Sequence, residues 1–419
     1  MSSPATVAKT APEAAFRWRD SSVAQRDTLI AAFLGWMLNA FDVMLYSLII
    51  TRLMAVFSMD KATAGLLNAL TLVASAVGTI IFGMLADRLG RRKMLNYSIL
   101  TYSVFTFACG FANSVVLLGL LRFLVGLGMG GEWTCGAALV AEAWPTRWRG
   151  RAMGIILSGW AVGYALAAMV SGLISAYAGW RWVFFIGILP ALLTIWIARR
   201  VPEPAIWKHS RERPASSAEQ TALWRAARPR LLALLTMNTF GMFGWWGLFS
   251  WVPAYLALPA AQGGRNFQML GVATLLIVLN LAGMFPGYLS FGIFADRFGR
   301  KRSVIFYLAA AGLLVPFFAA ARTPLAILLA GCLTAFFGTG FFCGSGTLGN
   351  ELFPTPIRAT ALGLSYNLAR GISALAPWVV GTLGETRGLS WAFLACGIAY
   401  GAAAISALMV PETRGLELR

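Results

Sequence analysis

Four ionisable residues lie deep inside long apolar runs of this sequence: Asp42, Arg122, Glu132 and Arg370. A charge in hydrocarbon costs at least about 2.5 kcal/mol, so such groups face a cavity or a partner. The four sum to zero charge, as expected if they pair. Two kinds of chemistry fit them. A buried carboxyl takes up or releases a proton as its surroundings change. A guanidinium grips a carboxylate through two parallel hydrogen bonds.

Depth along the runs gives each a place. Asp42 lies nine residues from the outer end of the first run, about 14 Å at the helical rise, and Arg122 lies eight from the outer end of the fourth, about 12 Å. The two sit level. Asp42 either takes a coupling proton, with Arg122 setting its affinity, or forms a permanent structural pair with it. Glu132 lies ten residues beyond Arg122, about 15 Å towards the other side, too far to pair with it on one straight helix. It is a second proton site or an anchor for the inner end of a cavity. Arg370 lies near mid-membrane in the eleventh run, with Tyr366 and Asn367 close by as further donors. It either anchors an anionic substrate or makes a salt bridge that orders its half. Asn238 and Asn280 either hydrogen-bond the substrate or tie helices together. Trp245 and Trp246 are candidates to line a small-molecule site, and Trp251 reads better as a membrane-interface residue.

The elements that position these residues are membrane helices. Of 419 residues, 58% are hydrophobic and 12% charged, against about 25% charged in soluble domains. Apolar runs near 28–51, 65–86, 94–112, 114–141, 152–177, 181–198, 231–257, 269–294, 303–320, 324–350, 359–384 and 390–410 each suffice to cross a bilayer. The expected fold is therefore all-α, with twelve transmembrane helices in two six-helix halves, 1–200 and 230–419. A cytoplasmic linker over 201–229, rich in proline and serine, joins them. The net charge of +18 is distributed by topology, which argues against a nucleic-acid partner. With the N-terminus inside, 26 of the 34 Lys and Arg fall on the inner side and only six in outer loops. Both termini are thus expected in the cytoplasm. The first 25 or so residues are polar and the first apolar run is long, so no cleaved leader is expected. The five cysteines lie inside apolar runs without disulfide or metal spacing, and read as packing residues.

A repeat runs through the chain. Gly83-Met-Leu-Ala-Asp87-Arg88-Leu-Gly90-Arg91-Arg92 returns 209 residues later as Gly292-Ile-Phe-Ala-Asp296-Arg297-Phe-Gly299-Arg300-Lys301. The stretch from Glu142 through Pro145-Thr146 to Arg149 returns at the same offset from Glu351 through Pro354-Thr355 to Arg358. Repeated halves about a common axis are a transporter plan with the substrate near the midplane.

These motifs resemble the major facilitator superfamily, whose best-known signature is the doubled Gly-x-x-x-Asp-Arg-x-Gly-Arg-Arg loop. Arg122 to Gly128, Pro202-Glu203 and Pro411-Glu-Thr-Arg-Gly415 resemble further superfamily features. Gly130-Gly-Glu132-Trp133, Asn39-Ala-Phe-Asp42 with Leu45-Tyr46, and Tyr366-Asn367 with Arg370 to Pro377 are similar to the sialate and metabolite:proton symporters. Many of those carry an acid where Asn39 stands. The resemblance implies proton-coupled uptake of a small carboxylate such as sialate, lactate or an aromatic acid, with Tyr46 among the substrate contacts. It also implies a gate at Gly83, Asp87, Arg88, Gly90, Arg91, Asp296, Arg297, Gly299 and Arg300 that latches the halves. A monomer in a bacterial plasma membrane is expected.

Other readings are weaker. No phosphate-binding loop is present, and no nucleophile, metal cluster or cofactor motif, so neither ATP-driven transport nor a membrane enzyme is expected. His209 is the sole histidine and lies in the linker, which excludes a histidine relay. Span five lacks the Gly-Pro feature of drug antiporters, and span seven the glutamines of sugar porters. The remaining alternatives are proton-coupled efflux of amphipathic compounds, with an apolar cavity and a dispensable Arg370, and a receptor that binds without flux.

Overall fold

The computed structural model describes residues 21–144, 146–203, 217–353 and 355–414. His209, residues 204–216 of the linker and the side chain of Asp87 lie outside the described residues. Twelve spans follow in chain order. They are α1 (Val23–Phe57), α2 (Lys61–Leu89), α3 (Arg91–Cys109), α4 (Val115–Ala143), α5 (Thr146–Tyr177) and α6 (Trp180–Arg200) in the first half. The second half holds α7 (Ser217–Ala257), α8 (Met269–Phe298), α9 (Arg300–Ala320), α10 (Pro324–Leu352), α11 (Thr355–Ser373 and Ala376–Arg387) and α12 (Leu389–Ala407). Ten are long and apolar enough to cross a membrane by length and composition alone. The other two are α3, which opens on Arg91-Arg92-Lys93, and α11, which is interrupted. Helix α7 begins at Ser217, so helical structure reaches well into the stretch expected to be a linker.

Short polar residues start the helices where the chain turns. Ser22 and Gln25 form a reciprocal capping box on α1, and Ser114 and Thr323 cap α4 and α10. Asp60 caps α2, and the Thr63 hydroxyl and amide hold its carboxyl below the usual range. Prolines interrupt the regular ladder. Pro286 has no N–H to donate to the preceding turn, and α8 widens into a π-turn over Leu279–Met284 just before it. Helix α11 breaks just before Pro377, and α6 tightens into a 3-10 turn at Ile186–Ile188 before Pro190.

Glycines set how closely the spans approach. A Cβ at Gly126 of α4 would come 2.8 Å from the Ala74 Cβ of α2, and one at Gly163 of α5 would come 3.0 Å from the Ala40 Cβ of α1. Without a driving force from water, such backbone-level packing holds helices together in lipid.

The two halves meet along α1, α2 and α5 on one side and α7, α8 and α11 on the other. The contact is tight at the face away from the basic loops. There Gly65 of α2 rests on the Pro377–Trp378 backbone of α11, and Lys61 meets Glu385 through its backbone N–H at 2.9 Å and its Nζ at 3.9 Å. Tyr164 of α5 donates to the Phe249 carbonyl of α7 at 3.1 Å. Towards the basic face the packing loosens. A Cβ on Gly154 of α5 would meet nothing within 4 Å, and one on Gly363 of α11 only Asn367 of its own helix.

Candidate substrate and proton site

Between the halves lies a cavity of about 20 Å³, lined by Trp36, Leu157, Trp160, Trp245, Trp246, Tyr288, Phe342, Tyr366 and Arg370. That volume holds a water but no organic molecule, so a substrate can enter only when the halves part. Seven of the nine lining side chains are aromatic. Trp160 of α5 meets Trp245 and Trp246 of α7 edge-on, with ring centres 5.6 Å apart in both pairs, and carries the aromatic wall across the interface. One turn from Arg370 towards the basic face, Tyr366 stacks on Trp133 of α4 at 5.8 Å.

Arg370 is the one charged group in the lining. Its side chain is 2% exposed, and none of its three guanidinium nitrogens has a hydrogen-bond partner. The Trp246 ring lies 5.8 Å from its Cζ, a cation–π contact that offsets part of the burial. The reading of Arg370 as an ordering salt bridge is not met, since no carboxylate oxygen of a described residue lies within 4 Å of it.

Glu132 is equally buried. Asn39 of α1 donates its Nδ2 to Glu132 Oε2 at 3.1 Å and to the Met129 carbonyl at 3.2 Å. The other oxygen packs on Gly35, where a Cβ would stand 2.7 Å from it. Arg370 faces Glu132 across the interface.

Asp42 is elsewhere. It is fully buried among α1, α3, α4 and α6, beside Thr106 and Gly187, and does not line the central cavity. Arg122 faces it but makes no ion pair with it; its Nε donates to Thr71 Oγ1 at 3.1 Å, and its Cζ lies 4.9 Å from the Tyr46 ring centre. The expected pairing of the four deep charges is therefore absent in this state. Arg122 is instead held by an aromatic face and a hydroxyl and Arg370 by an aromatic face alone, while Glu132 is held by an amide and Asp42 by helix packing.

The polar residues predicted to touch substrate divide. Arg370, Trp245 and Tyr366 line the cavity. Tyr46 does not: its hydroxyl donates to the Ala64 carbonyl at 2.9 Å while its ring lies under Arg122. Asn238 ties α7 to the Ser365 carbonyl of α11, and Asn280 bonds back to Leu276 in the π-turn of its own helix. Asn367 is not in the lining. Trp251 is not at an interface with lipid; it is fully buried and donates to the Pro377 carbonyl at 2.8 Å. That bond ties α7 to α11 just beyond the break in α11. Sequence reasoning missed Trp36, Leu157, Trp160, Tyr288 and Phe342. Aromatic content within spans was the only signal, and it does not say which face points inward.

The 209-residue repeat reappears as geometry at the basic face. Arg91 Nε donates to Glu142 Oε1 at 3.4 Å, and Arg300 Nε to Glu351 Oε1 at 3.3 Å. Gly90 and Gly299, at φ 112° and 99°, adopt a conformation that side chains disfavour and separate α2 from α3 and α8 from α9. A third pair joins these: Glu203 accepts from the Arg92 backbone N–H at 3.1 Å, and Glu412 from that of Arg300 at 2.9 Å. Both carboxylates sit at the positive end of a helix. Partial burial pushes the Glu412 carboxyl up, but backbone N–H groups of Arg414, Arg300, Thr413 and Lys301 outweigh it and hold the group below its usual range. Asp296 pairs with Arg300 at 3.1 Å, Thr413 donates its hydroxyl to Glu351, and Arg297 lies over the Phe298 ring. Gly83 touches Thr134, and Arg88 is exposed. Each of these contacts stays within its own half.

Two like halves around a buried, charged and aromatic cavity define a membrane transporter. The sequence model of the Major Facilitator Superfamily matches residues 32–283 and 266–418. The chain is 32% identical to a probable 4-methylmuconolactone transporter of Cupriavidus pinatubonensis, over 96% of this chain and 94% of that one. It is 30% identical to a sialic acid transporter of Escherichia coli, over 90% and 92%. Its fold is similar to the xylose transporter XylE of E. coli in a partially occluded inward-open conformation, with a TM-score of 0.75, 20% identity, and coverage of 95% and 100%. The chain belongs to the major facilitator superfamily, in its sialate and metabolite transporter group, and is a multi-pass membrane transporter rather than an enzyme.

Proposed function

We propose that this protein imports a small organic anion together with protons, by rocking its halves about the central cavity. The observation that carries the reading is Arg370: a buried guanidinium with no hydrogen-bond partner, at the wall of the cavity between the halves. An unpaired buried charge is costly, and an incoming carboxylate satisfies it through two hydrogen bonds. The aromatic lining favours a flat, unsaturated or aromatic acid over a hydrated sugar. Relatives named for 4-methylmuconolactone and sialic acid support a small organic cargo of this kind. Efflux of amphipathic compounds fits less well, because an apolar cargo leaves the guanidinium uncompensated.

The basic loops lie in the cytoplasm of a bacterial plasma membrane, with both termini, and one chain suffices for transport. The face sealed by Gly65, Lys61 and Glu385 is then the outer one, and this state opens inward once Trp133 and Tyr366 separate. The doubled Gly83–Arg91 and Gly292–Arg300 loops brace the inner face. Asp42, with Arg122 beside it, is a proton site of the first half during the cycle.

The test is uptake into reconstituted vesicles with an imposed pH gradient, screening benzoate, nicotinate, cis,cis-muconate, sialate and lactate. Accumulation that collapses when the gradient is dissipated supports the reading; saturable binding without flux supports a receptor. Asp42→Asn should lower gradient-driven accumulation at least about tenfold, the lower end for a lost proton-transfer group. Full accumulation by that variant removes Asp42 from the mechanism.

The Lys61–Glu385 contact gives a smaller prediction. Glu385 is half exposed, so the pair is worth at most about 1 kcal/mol. Glu385→Gln should shift the conformational balance towards outward-open by about two- to fivefold. Labelling of a cysteine placed in the outer half of α11 reads that shift.

A further inference from the structure

We infer that Glu132 is the acid through which occupancy of Arg370 controls proton uptake, and that Asn39 positions it for that task. The inference rests on the reading of Arg370 as a carboxylate anchor.

The two residues come from opposite halves and face each other across the interface without touching. Trp133, next to Glu132 in α4, stacks on Tyr366, one turn from Arg370 in α11. The groups facing Glu132 are few. Helix α11 contributes Arg370, α3 contributes Tyr102, and α1 contributes the Asn39 amide and Gly35. Helices α2 and α5 carry no charged residue between their ends. Among the described residues Arg370 is the cation that faces Glu132, and neither makes a direct ion pair with the other.

Charge conservation in a dry centre then couples the two ligands. At a pH where Glu132 is ionised in the empty carrier, it and Arg370 sum to zero. A monocarboxylate bound to Arg370 leaves one uncompensated negative charge, which Glu132 removes by taking a proton from water. The loaded centre is neutral again, with one proton carried per monoanion. A centre that is neutral both empty and loaded can cross between the two open states; one with a net charge is held back.

Asn39 fixes the geometry. Its Nδ2 spans Glu132 Oε2 and the Met129 carbonyl, which keeps the carboxyl on α1 and short of Arg370. A closed ion pair would shut the substrate out. Asp42 is not placed for this role: its facing cation is Arg122, inside the first half. Tyr102, whose buried hydroxyl has no partner, faces both acids and joins the two sites.

The experiment uses purified full-length protein with benzoate, nicotinate and cis,cis-muconate as probes. In weakly buffered detergent solution, an indicator dye should record about one proton taken up per benzoate bound by wild type. Glu132→Gln should lose that proton uptake while still binding benzoate. In vesicles, Glu132→Gln should lower gradient-driven accumulation at least thirtyfold while exchange of internal for external benzoate falls no more than threefold. Glu132→Asp should regain part of the accumulation, which a merely structural carboxyl need not do. Proton uptake on binding that persists in Glu132→Gln, or that wild type lacks while it binds probe, overturns the inference. If wild type binds none of the three probes, the carboxylate reading beneath it falls instead. Should Glu132→Gln fail to insert, Asn39→Ala decides: a shifted pH profile of benzoate binding supports the inference, and an unmoved profile overturns it.

Discussion

Replacing Arg370 with Gln should abolish saturable binding of the transported anion while leaving the protein folded. The guanidinium sits in a cavity that excludes bulk water, so each hydrogen bond it gives a carboxylate is charge-assisted and poorly replaced. Truncating one partner of such a buried pair costs about 2–5 kcal/mol, equivalent to about 30- to 4000-fold in affinity. Arg370→Lys keeps the charge but loses the planar fork, and should still cost at least about tenfold. Isothermal titration or scintillation proximity with radiolabelled benzoate measures both. Stability separates this role from a structural one. Arg370 has no ion pair and no hydrogen-bond partner in the empty state, so removing its charge relieves burial instead of stranding a partner. The melting temperature of Arg370→Gln in detergent should therefore stay level or rise. A fall of several degrees with binding retained would make Arg370 an ordering residue and return the efflux reading to the front.

Gly65→Val should stop transport by a different route. With the outer face sealed, α2 lies directly on the α11 backbone, and a Cβ at Gly65 would stand 3.0 Å from the Trp378 Cα and closer still to the Pro377 carbonyl oxygen. Neither obstacle is a flexible side chain, so relief requires the two helices to separate. Overpacking of that kind costs about 1–3 kcal/mol, and more against backbone. A cost of about 2–3 kcal/mol incurred only when the outer face is sealed lowers that state's population by about 30- to 150-fold. Net transport should fall accordingly, and cysteines on the outer parts of α2 and α11 should become reactive. Gly363 provides the control. It also lies on α11, but a Cβ there meets only Asn367 at 4.0 Å, so Gly363→Ala should transport within about twofold of wild type. Equal loss in both variants would mean that the outer packing is not the moving contact.

Much of this arrangement is legible in the amino-acid sequence. The apolar runs place twelve spans to within a few residues, apart from the start of α7, which the linker's polar composition hides, because a bilayer imposes both the length and the helical form of anything that crosses it. The 209-residue offset places Arg91 against Arg300 and Glu142 against Glu351, and those residues do form equivalent contacts. The depth of Arg370 in its run brings it to the level of a central site, and it does line the cavity. Less legible is the direction in which a side chain points. Asp42 and Asn39 are three residues apart on α1, yet Asn39 reaches Glu132 near the interface while Asp42 faces α3 and α6. In a helix buried on every side, periodicity gives no polar face to orient it.

Composition, run length, charge bias and the internal repeat by themselves determined a membrane transporter of two homologous halves with charge buried near its midplane. Each follows from a constraint that acts locally along the chain, the cost of exposing backbone or charge to hydrocarbon. Only the tertiary structure decided that Arg370 stands without a hydrogen-bond partner in an aromatic cavity, that Asn39 holds Glu132, that Trp251 ties α7 to the Pro377 carbonyl of α11, and that one face of the interface is sealed while the other is loose. Those outcomes depend on helix rotation and on contacts between residues distant in the chain, which packing fixes and one-dimensional pattern does not encode.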